Sequence, residues 1–145
     1  TKGLCKIAKG FSDCLYLGNI DSLRDWGHAK DYVQMQWMML QQETPEDYVI
    51  STGQQTSVRK FVELCAYKLN WGGIKWEGND INEVGRRKDN SEIVVRIDPS
   101  LFRPAEVQTL LGDPAKANKK LGWEPTYNIE ELVDEMIKEE KASIE

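Results

Sequence analysis

Two arginines and a glutamate are the side chains of this sequence best suited to binding a phosphorylated ligand. The planar guanidinium groups of Arg24 and Arg103 can each donate two hydrogen bonds to phosphate oxygens, and they stay charged. The carboxylate of Glu106 can accept a proton from each hydroxyl of a ribose diol. Arg103 precedes Pro104, which favours extended backbone angles. We therefore expect its side chain to project from a loop, with Glu106 about one helical turn further on.

A purely structural role is the alternative for Arg103 and Glu106. In that interpretation Glu106 supports the N-terminus of a helix through capping and dipole effects, and Arg103 pairs with it. The residues alone favour this interpretation over ligand binding. Any anion site would have to be a local arginine cluster, because the chain carries a net charge of −5.

Arg24 belongs to the stretch 17–32, around which we expect the rest of the chain to be organised. A short apolar run leads into a turn at Asn19, and a break at Gly27 precedes a helix that begins near Ala29. This pattern predicts that Arg24 lies on a loop between two regular elements, where binding residues tend to occur. The simpler alternative is a surface loop on which Arg24 faces water.

The composition is typical of a folded domain. A length of 145 residues fits one domain or part of a larger one, and an apolar fraction of 40% with five tryptophans is enough for a core. The acidic balance argues against nonspecific nucleic-acid binding, which requires a basic surface. No run approaches the roughly 18 apolar residues of a membrane span, and no secretory signal opens the chain.

Three cysteines and one histidine limit the possible metal and redox chemistry. An odd number of cysteines without a CxxC spacing argues against a disulfide framework and against zinc, and free thiols suit a reducing cytoplasm. Cys65 falls on the apolar face of a predicted helix, so we expect it in the core. His28 is the only histidine, and a local hydrogen bond at a helix start is a simpler role for it than metal binding.

The hydrophobic periodicity predicts a mixed α/β structure without strict βαβ alternation. The helix that begins near Ala29 is apolar on two sides, which predicts cover on both sides and hence a further domain; a methionine-rich partner surface is the less favoured alternative. Residues 77–91 are polar and aperiodic, which predicts a loop. For its cations, Arg86 to Lys88, a solvated face is favoured over contact with phosphate. We predict helices at residues 1–10, 29–42, 57–70, 113–122 and from 128 onwards, and strands at 15–17, 48–52, 74–76 and 92–98.

Two long motifs resemble those of a known enzyme family. LGNIDSLRDWGHAKDYV, at residues 17–33, and FRPAEVQTLLGDPAKA, at residues 102–117, are similar to signatures of the GDP-mannose 4,6-dehydratases. These are extended short-chain dehydrogenase/reductases that act on a nucleotide sugar. The motifs occur in the family's order and spacing, and the WEG…NEVGR pattern resembles a short loop of some members. The similarity covers nearly all 145 residues but corresponds to the C-terminal portion of such an enzyme.

The resemblance implies a fold and a set of binding residues. Residues 1–145 would be the C-terminal substrate-binding lobe of a Rossmann-type enzyme, with a helix and a strand that complete an N-terminal cofactor domain absent from this chain. Arg24 and Arg103 correspond to family residues that hold the diphosphate. Glu106 corresponds to one that binds the ribose, and Asn19 also matches and is expected to contact the nucleotide.

The resemblance also implies the chemistry of the intact enzyme. The family uses tightly held NADP to oxidise the mannose C4, eliminates water across C5–C6 and returns hydride to C6. The product is GDP-4-keto-6-deoxymannose, a precursor of GDP-fucose. We therefore expect GDP-mannose as the ligand, NADP as the cofactor of the intact enzyme, a cytoplasmic homo-oligomer, and no nucleic-acid or membrane partner.

The family's catalytic marks do not occur in these 145 residues. No three glycines have the Gly-x-x-Gly-x-x-Gly spacing, and none of the five tyrosines has a lysine four residues later. We therefore expect no catalytic, cofactor-binding or metal-binding residue in this chain, and no activity from the chain alone. Two alternatives stay open: a non-catalytic nucleotide-sugar binding or interaction module, and part of another GDP-sugar reductase or epimerase.

Overall fold

Residues 1–107 and 109–144, which the computed structural model describes, contain six short strands and five α-helices. The fold is mixed α/β, as predicted. The strands are β1 Leu15–Leu17, β2 Leu23–Asp25, β3 Gln55–Ser57, β4 Ile74–Glu77, β5 Val84–Arg87 and β6 Ile93–Ile97. The helices are α1 Lys2–Ala8, α2 Ala29–Leu40, α3 Val58–Lys68, α4 Ala115–Leu121 and α5 Ile129–Ser143. None of these helices is both long enough and apolar enough to cross a bilayer.

A four-stranded sheet positions the ends of two distant segments side by side. Its strand order is β1-β6-β5-β4, and β1 runs parallel to β6, with Leu17 opposite Ile97. Because parallel strands end at the same edge of a sheet, the segments that follow β1 and β6 leave together. The backbone N–H of Asp98 donates to the carbonyl of Leu17 at 2.8 Å, which extends the pairing to that edge.

The main core lies between this sheet and the helices α1, α3 and α5. The amphipathic face predicted for α3 is confirmed, since Phe61, Val62 and Cys65 are buried. Burial raises the pKa of the Cys65 thiol to about 11, so the thiol stays neutral and acts as a small apolar group. The buried members are Leu4, Cys5, Ile7, Phe61, Val62, Cys65, Ala66, Leu69, Trp71, Ile74, Val94, Val95, Val133 and Ile137.

The described residues cover only one side of helix α2. Met35 is fully buried in a second cluster with Ala117 and Trp123. On another side of the helix, Val33, Trp37 and Leu40 are 61%, 62% and 82% exposed. The predicted cover on both faces is therefore not supplied by the described chain.

Helix caps fix where three helices begin. The Ser57 side chain accepts from the N–H of Lys60, and Asn128 forms a capping box with Glu131. At the start of α2, Nδ1 of His28 accepts from the N–H of Lys30 at 3.1 Å, so the predicted local hydrogen bond of His28 is confirmed. The helix predicted at 113–122 begins two residues late, at Ala115.

The strand predicted at residues 48–52 is wrong. This segment has no ladder partner among the described residues, and an extended segment becomes a strand only through a neighbour. Its C-terminal end is instead held by a side chain, because the Asp25 carboxylate accepts from the N–H groups of Thr52 and Gly53 at 2.9–3.0 Å.

The loop predicted at residues 77–91 is also wrong in part, because it contains β5. This strand pairs antiparallel with both β4 and β6. Its polar side chains lack the apolar alternation by which a strand is predicted from sequence. They form ion pairs instead: Arg86 pairs with Glu77 at 2.8 Å, and Arg87 pairs with Asp89 at 2.6 Å. These cations are therefore not simply solvated.

Candidate functional site

The two segments that follow β1 and β6 are tied together by one side chain. Oδ1 of Asn19 accepts from the backbone N–H of Arg103 at 2.8 Å, and Nδ2 of Asn19 donates to the carbonyl of Arg103 at 3.0 Å. The amide thus binds both backbone groups of Arg103, as a neighbouring strand would. It fixes the backbone position from which the Arg103 side chain projects. Asn19 and Arg103 are 84 residues apart in the chain.

Arg24 and Arg103 both meet Glu106. Nη2 of Arg24 donates to Oε1 of Glu106 at 2.6 Å, while Nη1 of Arg103 lies 3.8 Å from the other carboxylate oxygen. The three side chains together carry one net positive charge, which suits an anionic ligand. The structure therefore brings all four predicted residues, Asn19, Arg24, Arg103 and Glu106, into one cluster.

The element that carries Arg24 differs from the prediction. Arg24 lies on β2, opposite Thr56 of β3, rather than on a free loop. The local sequence did not show this pairing, because the partner strand is contributed by residues about thirty positions later. The strand gives Arg24 a fixed backbone, and Nη1 also donates to the carbonyls of Leu23 and Val107.

Glu106 does not support a helix N-terminus, contrary to one predicted alternative. Residues 103–106 form a single turn, closed by a 3.2 Å hydrogen bond from the N–H of Glu106 to the carbonyl of Arg103, and the next helix in the described part of the chain begins at Ala115. The Glu106 side chain is 18% exposed, whereas that of Arg103 is 80% exposed. Arg103 is therefore free to move toward a ligand, while Glu106 is held in place.

Arg24 keeps part of its donor capacity for a ligand. A guanidinium has five N–H donors, and three of those of Arg24 are engaged, by Glu106, Leu23 and Val107. Among the described residues, no partner engages Nε–H or the second donor of Nη2, on a side chain that is 26% exposed. Arg24 can thus orient Glu106 and also face an anion.

An open cleft of about 450 Å³ adjoins this cluster. Its volume lies within the usual range for small-molecule sites, about 300–1,000 Å³. Asn19, Arg103 and Glu106 line one part of it, and Asp21, Asp80 and Glu83 contribute carboxylates to the same lining. Arg24 is not among the lining residues, but it donates to two groups that are, the carbonyl of Leu23 and the carboxylate of Glu106. The remaining lining residues are Gly18, Ile20, Ser22, Leu23, Ile97, Phe102, Pro104 and Thr109.

The sequence interpretation missed Arg59, which binds two of these carboxylates. It donates to Asp21 and to Glu83 at 2.5–2.9 Å. A signal was available, because Arg59 stands in the first turn of a helix, where the macrodipole disfavours a cation. A cation at such a position needs an acidic partner elsewhere in the fold.

Gly18 allows the two segments to approach closely. A Cβ atom there would lie 2.2 Å from the carbonyl oxygen of Leu101. We expect Gly18→Ala to push the segments apart and to lower the free energy of unfolding by about 1–3 kcal/mol, measured by urea denaturation. Gly3→Ala is the matched control, since its Cβ would meet only the flexible end of Leu15. Equal stabilities of the two variants would contradict the close packing.

Comparison with known proteins decides the family. The family model described as GDP-mannose 4,6 dehydratase matches residues 1–136. The chain belongs to the GDP-mannose 4,6-dehydratase family. It is 53% identical to the GDP-mannose 4,6-dehydratase of Yersinia enterocolitica, over 94% of this chain and 39% of that protein. It is 47% identical to the human GDP-mannose 4,6 dehydratase, over 94% of this chain and 37% of that protein.

The resemblance in the two long motifs is thereby confirmed at the level of the family. The chain spans about 40% of the length of these GDP-mannose 4,6-dehydratase relatives. In Vibrio cholerae a GDP-mannose 4,6-dehydratase is 53% identical over 97% of this chain and 40% of its own length.

Solved structures show the same fold at lower identity. The RMD protein of Pseudomonas aeruginosa, solved with NADPH, superposes with a TM-score of 0.76 at 19% identity, over 99% of this chain and 41% of its own. A UDP-glucose 4-epimerase of Thermotoga maritima, solved with UDP-glucose, gives 0.71 at 20% identity, over 99% of this chain and 39% of its own. The fold of this GDP-mannose 4,6-dehydratase family member is thus shared with both of these proteins.

Proposed function

We propose that this chain supplies the nucleotide-sugar binding site of a GDP-mannose 4,6-dehydratase. The observation that carries the proposal is the convergence of Arg24 and Arg103 on Glu106 beside an open cleft. Membership of the family supports GDP-mannose as the ligand, because the relatives are named for that substrate. The intact enzyme would convert GDP-mannose to GDP-4-keto-6-deoxymannose in the cytoplasm as a homo-oligomer.

Each side chain has a distinct task in this proposal. Arg103, which is mostly exposed, closes on the diphosphate, and Arg24 directs its remaining donors to the same group. Glu106 accepts hydrogen bonds from the ribose hydroxyls, and its orientation is set by Arg24. Asn19 holds the backbone of Arg103 and presents its own edge to the cleft.

The hydride chemistry would need a nicotinamide cofactor, NADP in this proposal, held by residues outside this chain. The relative solved with NADPH shares the fold and supports this choice of cofactor. The 145 residues contain no Tyr-x-x-x-Lys pair, so we infer that the chain alone binds GDP-mannose without turning it over. What this chain contributes is binding and orientation of the nucleotide sugar.

Calorimetry with GDP, GDP-mannose and UDP-glucose tests the proposal. We expect both guanosine ligands to bind, and Arg103→Ala to weaken GDP binding about tenfold, because one charge-assisted phosphate contact is lost. Arg86→Ala is the control, since Arg86 lies on β5 outside the cleft lining and pairs with Glu77.

Two results would contradict the proposed function. The first is that the unaltered chain binds none of these nucleotides. The second is that Arg103→Ala and Arg86→Ala bind GDP with the same affinity. Either result would favour a non-catalytic interaction module or a different ligand for the cleft.

A further inference from the structure

A second group of ion pairs, centred on Arg59 at the start of helix α3, includes two carboxylates that line the cleft, those of Asp21 and Glu83. Nε and Nη2 of Arg59 donate to the two carboxylate oxygens of Asp21 at 2.7 Å and 2.9 Å. Nη1 and Nη2 donate to the two oxygens of Glu83 at 2.5 Å and 2.9 Å. The guanidinium carbon also lies 4.7 Å from the centre of the Trp76 ring. Both the hydrogen-bond donors and the flat face of the Arg59 guanidinium therefore have partners.

The same helix start also holds the backbone of the segment that carries Asn19. The N–H of Arg59 donates to the carbonyl of Ile20 at 2.7 Å, and the N–H of Val58 donates to that of Ser22 at 3.3 Å. These are N–H groups of the first turn, which have no partner within their own helix. Segment 18–22 is therefore fixed to α3 by two backbone bonds and by the bidentate pair of Arg59 with Asp21.

The charges matter because Asp21 and Glu83 line the cleft that would receive a diphosphate. Two unpaired carboxylates would repel that anion across a few ångströms in a partly enclosed site. Arg59 compensates one of the two charges and engages every oxygen of both groups. The hydrogen bonds that Arg59 donates, first those to Asp21 and then those to Glu83, raise the pKa of its guanidinium, so it stays charged at any working pH.

We propose that Arg59 is a positioning residue of the nucleotide cleft, which holds segment 18–22 in place and shields the anion from Asp21 and Glu83. The inference rests on the proposed function of the cleft. Arg59 is not itself among the lining residues, so it acts through the groups that it binds.

Comparing a charged with an uncharged ligand separates this role from a general effect on the fold. We expect Arg59→Met to weaken GDP binding at least about tenfold at low salt, because two carboxylates then face the phosphates. Guanosine carries no charge, so its affinity reports the shape of the cleft, and we expect it to fall by less than about threefold. The triple change Arg59→Met, Asp21→Asn, Glu83→Gln should recover GDP affinity to within about threefold of the unaltered chain.

Arg87 provides a matched control within the same protein. It too lies over a tryptophan, with its guanidinium carbon 4.4 Å from the Trp71 ring centre, and pairs with a carboxylate, that of Asp89. It lies outside the cleft lining. Arg87→Met should lower the melting temperature much as Arg59→Met does, while leaving GDP affinity unchanged.

Each result of these binding experiments either supports or overturns the positioning role of Arg59. Equal losses for GDP and guanosine with no recovery in the triple variant, or no loss in Arg59→Met, would overturn the inference. If Arg59→Met does not fold, Arg59→Lys decides: a loss of about threefold or more supports the inference, since an ammonium cannot engage both carboxylates bidentately, and unaltered affinity overturns it. Failure of the unaltered chain to bind GDP would overturn the proposed function as well. Binding that responds to Arg103→Ala but not to Arg59 would overturn this inference alone.

Discussion

Replacing Asp31 with alanine is expected to lower the free energy of unfolding by about 3 kcal/mol, because it leaves hydrogen-bond donors of a connecting segment without partners. Asp31 lies on α2 and is only 2% exposed. Its carboxylate accepts from the N–H of Thr126 at 2.9 Å, from the Thr126 hydroxyl at 2.6 Å and from the N–H of Tyr127 at 3.1 Å. One side chain thus joins α2 to the segment that leads into α5.

Urea denaturation followed by tryptophan fluorescence measures this loss. Asp31→Asn should be less destabilising, because the amide oxygen keeps part of the acceptor capacity. Asp134→Ala is the control on α5, since Asp134 is 65% exposed and its one ion pair with a described residue is that with Lys68. It should change stability by less than about 0.5 kcal/mol. A variant at Asp31 as stable as this control would show that water satisfies the donors.

The largest effect on binding is expected from Arg24→Ala, about a hundredfold loss of GDP affinity. Three causes act together. In the proposed function, the substitution removes the donors that Arg24 has left for the diphosphate, and it leaves the carboxylate of Glu106, which lines the cleft, uncompensated beside the phosphates. It also releases the Val107 carbonyl that Nη1 holds at 2.9 Å, so the turn that carries Arg103 loses an anchor.

A second substitution distinguishes these causes. Arg24→Ala combined with Glu106→Gln removes the repulsion and should regain part of the GDP affinity, although the ribose contact is weakened. Arg96→Ala is the control, because Arg96 is an exposed arginine of β6 outside the cleft lining. If calorimetry shows that Arg24→Ala and Arg96→Ala bind GDP with the same affinity, the assignment of Arg24 to the site is wrong.

The parts of the fold that the sequence predicted well are those with local causes. The start of α3 follows from Ser57 as a cap, and the start of α5 follows from the Asn128 capping box, both of which lie within four residues of the helix. The apolar stripe of α3 identified its buried face correctly. These signals need no knowledge of the rest of the chain.

The errors have long-range causes. Val84–Arg87 is a strand because two neighbours supply its ladder, while its side chains form ion pairs instead of an apolar stripe. Residues 48–52 have strand-forming side chains but no described neighbour to pair with. Strand formation depends on a partner that can be far along the chain, so local propensity alone misassigns both segments.

In the candidate site, too, some features have local causes and others have long-range causes. The residue types of Arg24, Arg103 and Glu106 suit a phosphate and ribose site, but their assignment as binding residues came from the resemblance of the two motifs to the family. Their convergence depends on the parallel pairing of β1 with β6. That pairing joins residues about eighty positions apart, and no spacing within either motif predicts it. Arg59 was missed because its two partners lie 38 and 24 residues away in sequence.

The parallel pairing of β1 with β6 also sets the dynamics of the cleft. β1 is only three residues long and lies at the border of its sheet as the described residues form it, where β6 is its one neighbour. Short border strands open at a lower free energy than the protein as a whole, so local fraying there precedes global unfolding. Each opening event would separate Asn19 from Arg103 and thereby disrupt the cluster of Arg24, Arg103 and Glu106. In the proposed function, a nucleotide bound across both segments would therefore suppress this fraying by mass action.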